Sequence, residues 1–173
     1  AALDRQAEGG HLVIVAVKGP ALPALAPTLA PLVGAHTVVL PAMNGVPWWF
    51  LQDFGGPLAG SQLESVDPGG AIGAMVPAQR IVGCVVHASC SVVAPGVVRH
   101  GFGKRLILGE PGGGCSPRAQ ALVQLLVRAG FDAELSTTIQ QEIWFKLWGN
   151  MTMNPVSALT GADSHRILDD PLV

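Results

Sequence analysis

A chain of 173 residues can bury one good core, and has room for one domain plus the start of another. Hydrophobic residues make up 49% and charged residues only 13%, so the surface is poor in charge and some of it is expected to meet another segment. The formal net charge of -2 gives no footprint for nucleic acid, and no apolar run is long enough to cross a membrane, because prolines, glycines and polar residues interrupt each one.

The first residues, with Asp4, Arg5 and Glu8, do not form a secretory signal. Residues 12–17 are a continuous apolar run rich in Val and Ile, which suits a strand buried on both faces of a parallel sheet, and Lys18 follows at its end. A helix is predicted over residues 22–32, short or irregular because prolines stand at positions 20, 23, 27 and 31. Residues 37–40 form the next strand, and Asn44-Gly45 behind it favours a tight turn with positive backbone angles. Residues 51–78 mix apolar patches with Gly55-Gly56-Pro57 and Asp67-Pro68-Gly69-Gly70, a pattern that predicts two short helices joined by loops.

Residues 81–91 and 97–108 read as strands with Ala94-Pro95-Gly96 as the turn, and so short a connection requires them to be antiparallel. A parallel start and an antiparallel finish predict a mixed sheet. Gly112-Gly113-Gly114 precedes Ser116-Pro117, a cap followed by proline at the first helical position, so it is a loop into a helix over residues 117–129 rather than a phosphate cradle. Gly130 ends that helix and residues 131–135 make an edge strand. Ser136, Thr137 and Thr138 offer caps to a long helix, with Gln140 or Gln141 placed for a capping box, and residues 163–173 carry no compact element of their own.

Cys84, Cys90 and Cys115 are odd in number and lack zinc-site spacing, so they read as reduced cytosolic thiols and no metal site is expected. His87, on a strand pattern, reads as a satisfied structural histidine.

The long helix carries the most informative residues. Lys146, Asn150 and Asn154 stand at four-residue steps and reach one side of a helix. A lysine flanked by Trp144, Phe145, Leu147 and Trp148 either loses much of its hydration in a core, which makes it a candidate for chemistry, or snorkels its head to water. The two asparagines beside it make a polar stripe that favours the first reading. Pro155 removes a backbone donor and is expected to bend the axis.

The run from Trp144 to Pro155 resembles the signature that opens the second domain of the ketopantoate reductases, or 2-dehydropantoate 2-reductases. Three upstream pieces fall in the right order. Leu12-Val13-Ile14-Val15-Ala16-Val17-Lys18 resembles that family's strand ending in a cofactor-side lysine. Thr37 to Val46 resembles its next strand with the Asn-Gly turn, and Ile81 to Ala88, Val97 to His100 and Leu106 to Glu110 resemble its late strands.

The resemblance implies an α/β fold, a Rossmann-like mixed sheet that is the later part of an NADP-binding domain, followed by the first helix of an all-α second domain. The expected boundary puts a partial dinucleotide-binding domain at residues 1–136 and the start of a helical substrate and dimerisation domain at residues 137–173. It also implies a cytoplasmic oxidoreductase that uses NADPH to reduce 2-dehydropantoate to pantoate for pantothenate and coenzyme A synthesis. By matching motif, Lys146 is the general acid, Asn150 and Asn154 contact the 2-keto acid substrate, and Lys18 and Asn44 lie on the cofactor side. The partner is then a small molecule, with at most a homodimer expected.

No Gly-x-Gly-x-x-Gly turn is present, so the residues are expected to be the middle of a longer enzyme. One departure limits the substrate. Pro47-Trp48-Trp49-Phe50 follows Asn44-Gly45-Val46, and its aromatics either wall a larger, more apolar pocket or simply pack. The alternatives are a reductase of another 2-keto or hydroxy acid, and a non-catalytic binding module on the same fold.

Overall fold

In the computed structural model, which describes residues 11–171, Leu12–Val15 (β1) and Val38–Pro41 (β2) pair in parallel, with Leu12 opposite Val38. Asp4, Arg5 and Glu8 lie outside the described residues, as do residues 172 and 173. Bridges from Val39 to Ile81 and from Ala42 to Cys84, both parallel, join β2 to Gly83–Ala94 (β3). That strand pairs antiparallel with Val97–Gly109 (β4), which takes Asp132–Leu135 (β5) as a parallel edge strand. The result is the mixed sheet expected, in the spatial order β1-β2-β3-β4-β5.

Period-two alternation splits the sheet residues between two cores. Leu40, Val82, Cys84, Leu106 and Leu108 face Pro117–Arg128 (α3) through Ala119, Leu122 and Leu126. Val39, Ile81, Val85 and Ile107 face the other way and pack with residues of Leu22–Leu29 (α1), Ala71–Met75 (α2) and the first turns of Ile139–Thr160 (α4). Cys84 sits in the first core, where burial pushes its thiol up to about 12, so it is inert at neutral pH.

The caps show which local signals prevailed. Ser116 accepts the Ala119 N–H at 3.1 Å and Pro117 opens α3, as its sequence predicts. The prolines in residues 19–32 break that stretch into a tight turn, the eight-residue α1 and a second tight turn. Residues 51–78 hold one α-helix rather than two, the five-residue α2 behind a tight turn at Pro68–Gly70; buried Asp67 accepts the Ile72 and Gly73 N–H groups at 2.7 and 2.9 Å, while Gly55, Gly56 and Gly60 keep the rest in turns. The capping box before α4 does not form, because Gln140 turns inward to donate to the Pro111 carbonyl. A last helix, Ser164–Leu168 (α5), stands where no element was expected; Asp163 caps it and Ile167 buries against the protein. Pro155 lies within α4, which continues through it to Thr160.

One ion pair ties α3 to the sheet. Arg118 donates from Nε to Glu110 at 2.8 Å, and its two terminal nitrogens reach the Gln79 and Ile81 carbonyls at 2.6 and 3.1 Å. Burial pushes the Glu110 carboxyl upward, but the hydrogen bonds from Arg118 and Ser116 together with the Arg118 charge outweigh it, so its pKa lies below the usual carboxylate range. A depressed carboxyl pKa contributes stability above the unfolded value that is lost as pH falls through the folded one. Arg118→Ala is therefore expected to cost about 2 kcal/mol at pH 7, discounted for the third of the guanidinium side chain that stays exposed, and less at pH 3. Urea unfolding of the variant at both pH values checks this; an equal loss at the two would leave only packing.

Candidate active site

The carboxyl ends of β1 and β2 open onto a cleft, the usual ligand position in an α/β sheet. A hollow of about 550 Å³ there is lined by Lys18, Met43, Asn44, Val46, Pro47 and Val66 among others, and a smaller one of about 260 Å³ runs between Lys18, Asn44 and Val86. Lys18 is exposed at the rim of both, so it presents a cation to this space. The donor set fits an anionic, partly apolar ligand such as a nicotinamide dinucleotide. Among the described residues no cluster of side chains suits a metal ion, and no helix is long and apolar enough to cross a membrane.

Asn44 does more than turn the chain. Its Nδ2 donates to the Val86 carbonyl at 3.2 Å while its Oδ1 accepts the Val86 N–H at 3.1 Å, so the amide mimics a strand neighbour and clamps the β2 loop to β3. Gly45, at φ 97°, takes the left-handed position that this return demands. Asn44→Ala is expected to cost about 1 kcal/mol, since the groups it leaves are near solvent and can rehydrate. Thermal unfolding measures that cost. A separate dinucleotide titration should weaken by more than stability alone explains if the loop loses its position.

On α4 the inward stripe is Ile139, Ile143, Lys146, Asn150, Met153 and Ser157, buried at the first turns and half-buried beyond them. Lys146 and Asn150 therefore continue a buried apolar row. Asn154 is exposed, because each four-residue step over-rotates by about 40° on a 3.6-residue helix and two steps carry it off the stripe. The three residues do not share one face as tightly as their spacing suggested.

The aromatics flanking Lys146 do not enclose it. Trp144, Phe145 and Trp148 are 58%, 74% and 70% exposed, and the Trp144 ring lies tilted against Phe50 with centroids 6.2 Å apart. Lys146 is half-buried by its place on the stripe, not by its aromatic neighbours in sequence.

Trp48 and Trp49 resolve the departure noted after Asn44. They are 3% and 1% exposed and belong to the core under the sheet, so they pack rather than wall the large cleft. Trp48 donates its indole N–H to the Val76 carbonyl at 3.1 Å, whereas the buried Trp49 Nε1 has no partner. Gly83 admits that ring: a Cβ there would stand 2.5 Å from the indole.

The sheet brings the two halves of the candidate site together. Val86, held by Asn44, is followed by His87, which is half-buried and feels the charge of Lys146. Burial first, then the charges of Lys146 and Arg105, keep the imidazole below its ordinary pKa, with Glu134 and Glu142 opposing. Lys18 and Asn44 thus line one cleft, Lys146 lies within electrostatic reach of His87 on β3 with Asn150 next along the same stripe of α4, and Asn154 stands apart. His87, read from its strand pattern as a structural histidine, stands one residue beyond the position that Asn44 holds.

Comparison with known proteins follows the same division. Residues 138–173 match the family model described as ketopantoate reductase PanE/ApbA C terminal. A 2-dehydropantoate 2-reductase of Mesorhizobium japonicum is 47% identical over 158 residues, covering 91% of this chain and 48% of its own length. A provisionally assigned ketopantoate reductase of Ralstonia solanacearum MolK2 superposes with a TM-score of 0.89 at 60% identity, over 93% of this chain and 50% of that one. A D-mandelate dehydrogenase solved with NADH and anilino(oxo)acetate shares the fold, with a TM-score of 0.75 at 20% identity over 98% of this chain and 47% of its own. The chain spans about half the length of the relatives it matches.

Proposed function

Through the residues that align, this chain belongs to the ketopantoate reductase family, and on that premise we propose that it forms part of an NADPH-dependent reductase of a 2-keto acid, 2-dehydropantoate in the first place. The observation that carries the reading is the convergence of Asn44, bound to β3 at Val86, and Lys146, on the helix that packs against the same strand. On this reading residues 1–136 belong to the nucleotide-binding domain, and residues 137–173 open the helical domain.

A reduced nicotinamide held beside Lys18 and Asn44 would supply the hydride that reduces the keto carbon. The chain's own residues handle charge and position. Negative charge grows on the carbonyl oxygen as its carbon is reduced, and the Lys146 ammonium both attracts that charge and gives up the proton that makes the alcohol. Asn150, one turn along, orients the substrate's carboxylate or hydroxyl without adding another charge, and Asn154 does so from its exposed position beside the stripe. Lys18 would offer its cation to the cofactor, and Asn44 would hold the β2 loop that borders it.

The test is oxidation of NADPH, with NADH in parallel, by the protein that carries this chain, over ketopantoate and a panel of 2-keto acids. The panel includes an aryl 2-keto acid, because Met43, Val46, Pro47 and Val66 make the cleft apolar. Ketopantoate as the best substrate supports the reading in full, and an aryl acid as the best would move the substrate while keeping the chemistry. Turnover of none of them would sink it.

A further inference from the structure

We propose that His87 is a positioning residue for Lys146, holding the lysine head toward the cleft at which Asn44 lies; this deepens the reductase reading and rests on it. The geometry comes from strand periodicity. Val85 lies in the core shared with Ile139 and Ile143 of α4, and His87, two residues on, projects from the same face of β3. Lys146 follows Ile143 by three residues on the same stripe of α4, so each pair sits one step further outward along the strand and helix.

The backbone at His87 is fixed from both sides. Asn44 binds both polar groups of Val86 just before it. On β4, Gly103 takes φ 76° beside the irregularity between His87 and Ser89, and approaches so closely that a Cβ there would stand 2.4 Å from the His87 carbonyl oxygen. A histidine held this firmly in an otherwise exposed stretch of strand, from Ala88 to Gly101, is unlike its surroundings.

Its charge state suits the task. The groups that reach it are Lys146 and Glu142 from α4, Arg105 from the facing position of β4 and Glu134 from β5. Arg105 is occupied by Glu134, with an Nε to carboxylate distance of 2.6 Å. With burial and the two cations lowering its pKa, the ring is neutral at pH 7 and has a lone pair to offer an ammonium. A neutral acceptor restricts the flexible lysine stem without placing a second positive charge against the proton donor.

Two measurements test this in the folded protein that carries this chain. The first is an NMR titration of the His87 ring in the wild type and in Lys146→Met. Removing the cation should move the His87 midpoint upward, and an unchanged midpoint overturns the pairing. The second compares His87→Leu with His87→Gln in NADPH-dependent reduction of the preferred 2-keto acid. Leucine should lower kcat by about 10-fold or more with little change in KM and displace the alkaline limb of the pH profile, while glutamine, which keeps an acceptor, restores part of it. Equal loss in both variants with a lowered melting temperature, or no loss in either, refutes the positioning role. A moved midpoint in a protein that reduces no 2-keto acid supports the pairing and refutes the reaction assigned to it.

Discussion

Lys146→Ala should lower turnover of the preferred 2-keto acid by roughly 10² to 10⁴-fold, the range expected when a positioned proton donor is removed. Among the described residues the half-buried side chain makes no hydrogen bond or ion pair, so melting temperature should change little and the loss can be read as chemistry. Lys146→Arg separates charge from proton transfer. Arginine keeps the positive charge but has too high a pKa to give up a proton readily, so it should recover substrate binding better than kcat. Steady-state NADPH oxidation measures both. A loss of only a few-fold in Lys146→Ala would remove the lysine from the reacting centre.

Gly109→Ala should destabilise the protein by about 3 kcal/mol, at the upper end of what over-packing costs. A methyl at this position would stand 2.7 Å from the Ser136 carbonyl oxygen and 2.8 Å from the Ile139 Cβ, both backbone-anchored atoms that cannot swing aside. Ser136 and Ile139 form the junction from β5 into α4, so the helix carrying Lys146 must shift to admit the methyl. Gly149→Ala, on α4 itself, meets nothing within 4 Å and should instead stabilise, by up to about 1 kcal/mol from helix propensity. Denaturant unfolding of the two variants should therefore give opposite signs for the same chemical change, and a matching sign would contradict the close approach at Gly109.

The contrast between those glycines also marks where the sequence could be read. Elements set by neighbours within a few residues were legible: the Ser116-Pro117 start of α3, the Ala94-Pro95-Gly96 turn that forces β3 and β4 antiparallel, and the proline-broken stretch around α1. Features set by distant partners were not. Trp49 packs into the core where Gly83, far along the chain, leaves room for its indole. Gln140 abandoned a capping box because the Pro111 carbonyl needed a donor in a buried place. Asp163-Ser164 was a readable cap that went unused in the expectation, since five residues of helix give too short a pattern to register.

The candidate site divides in the same way. Lys146 was singled out by residue type and spacing, and Lys18 and Asn44 by the family resemblance, but a four-residue step overstated how far Asn154 shares the side of Lys146. The role proposed for His87 depends on which strand face meets α4, a property of the sheet and not of the residues around it.

The four tryptophans fall into two optical classes. Trp48 and Trp49 are sealed in the core, while Trp144 and Trp148 stand in water on α4. Emission from this chain should therefore be composite, with a blue component that iodide cannot reach and a red one that it quenches. The first follows unfolding and the second follows only what lies against α4, so the fluorescence of a single sample distinguishes loss of the fold from covering of the lysine-bearing helix.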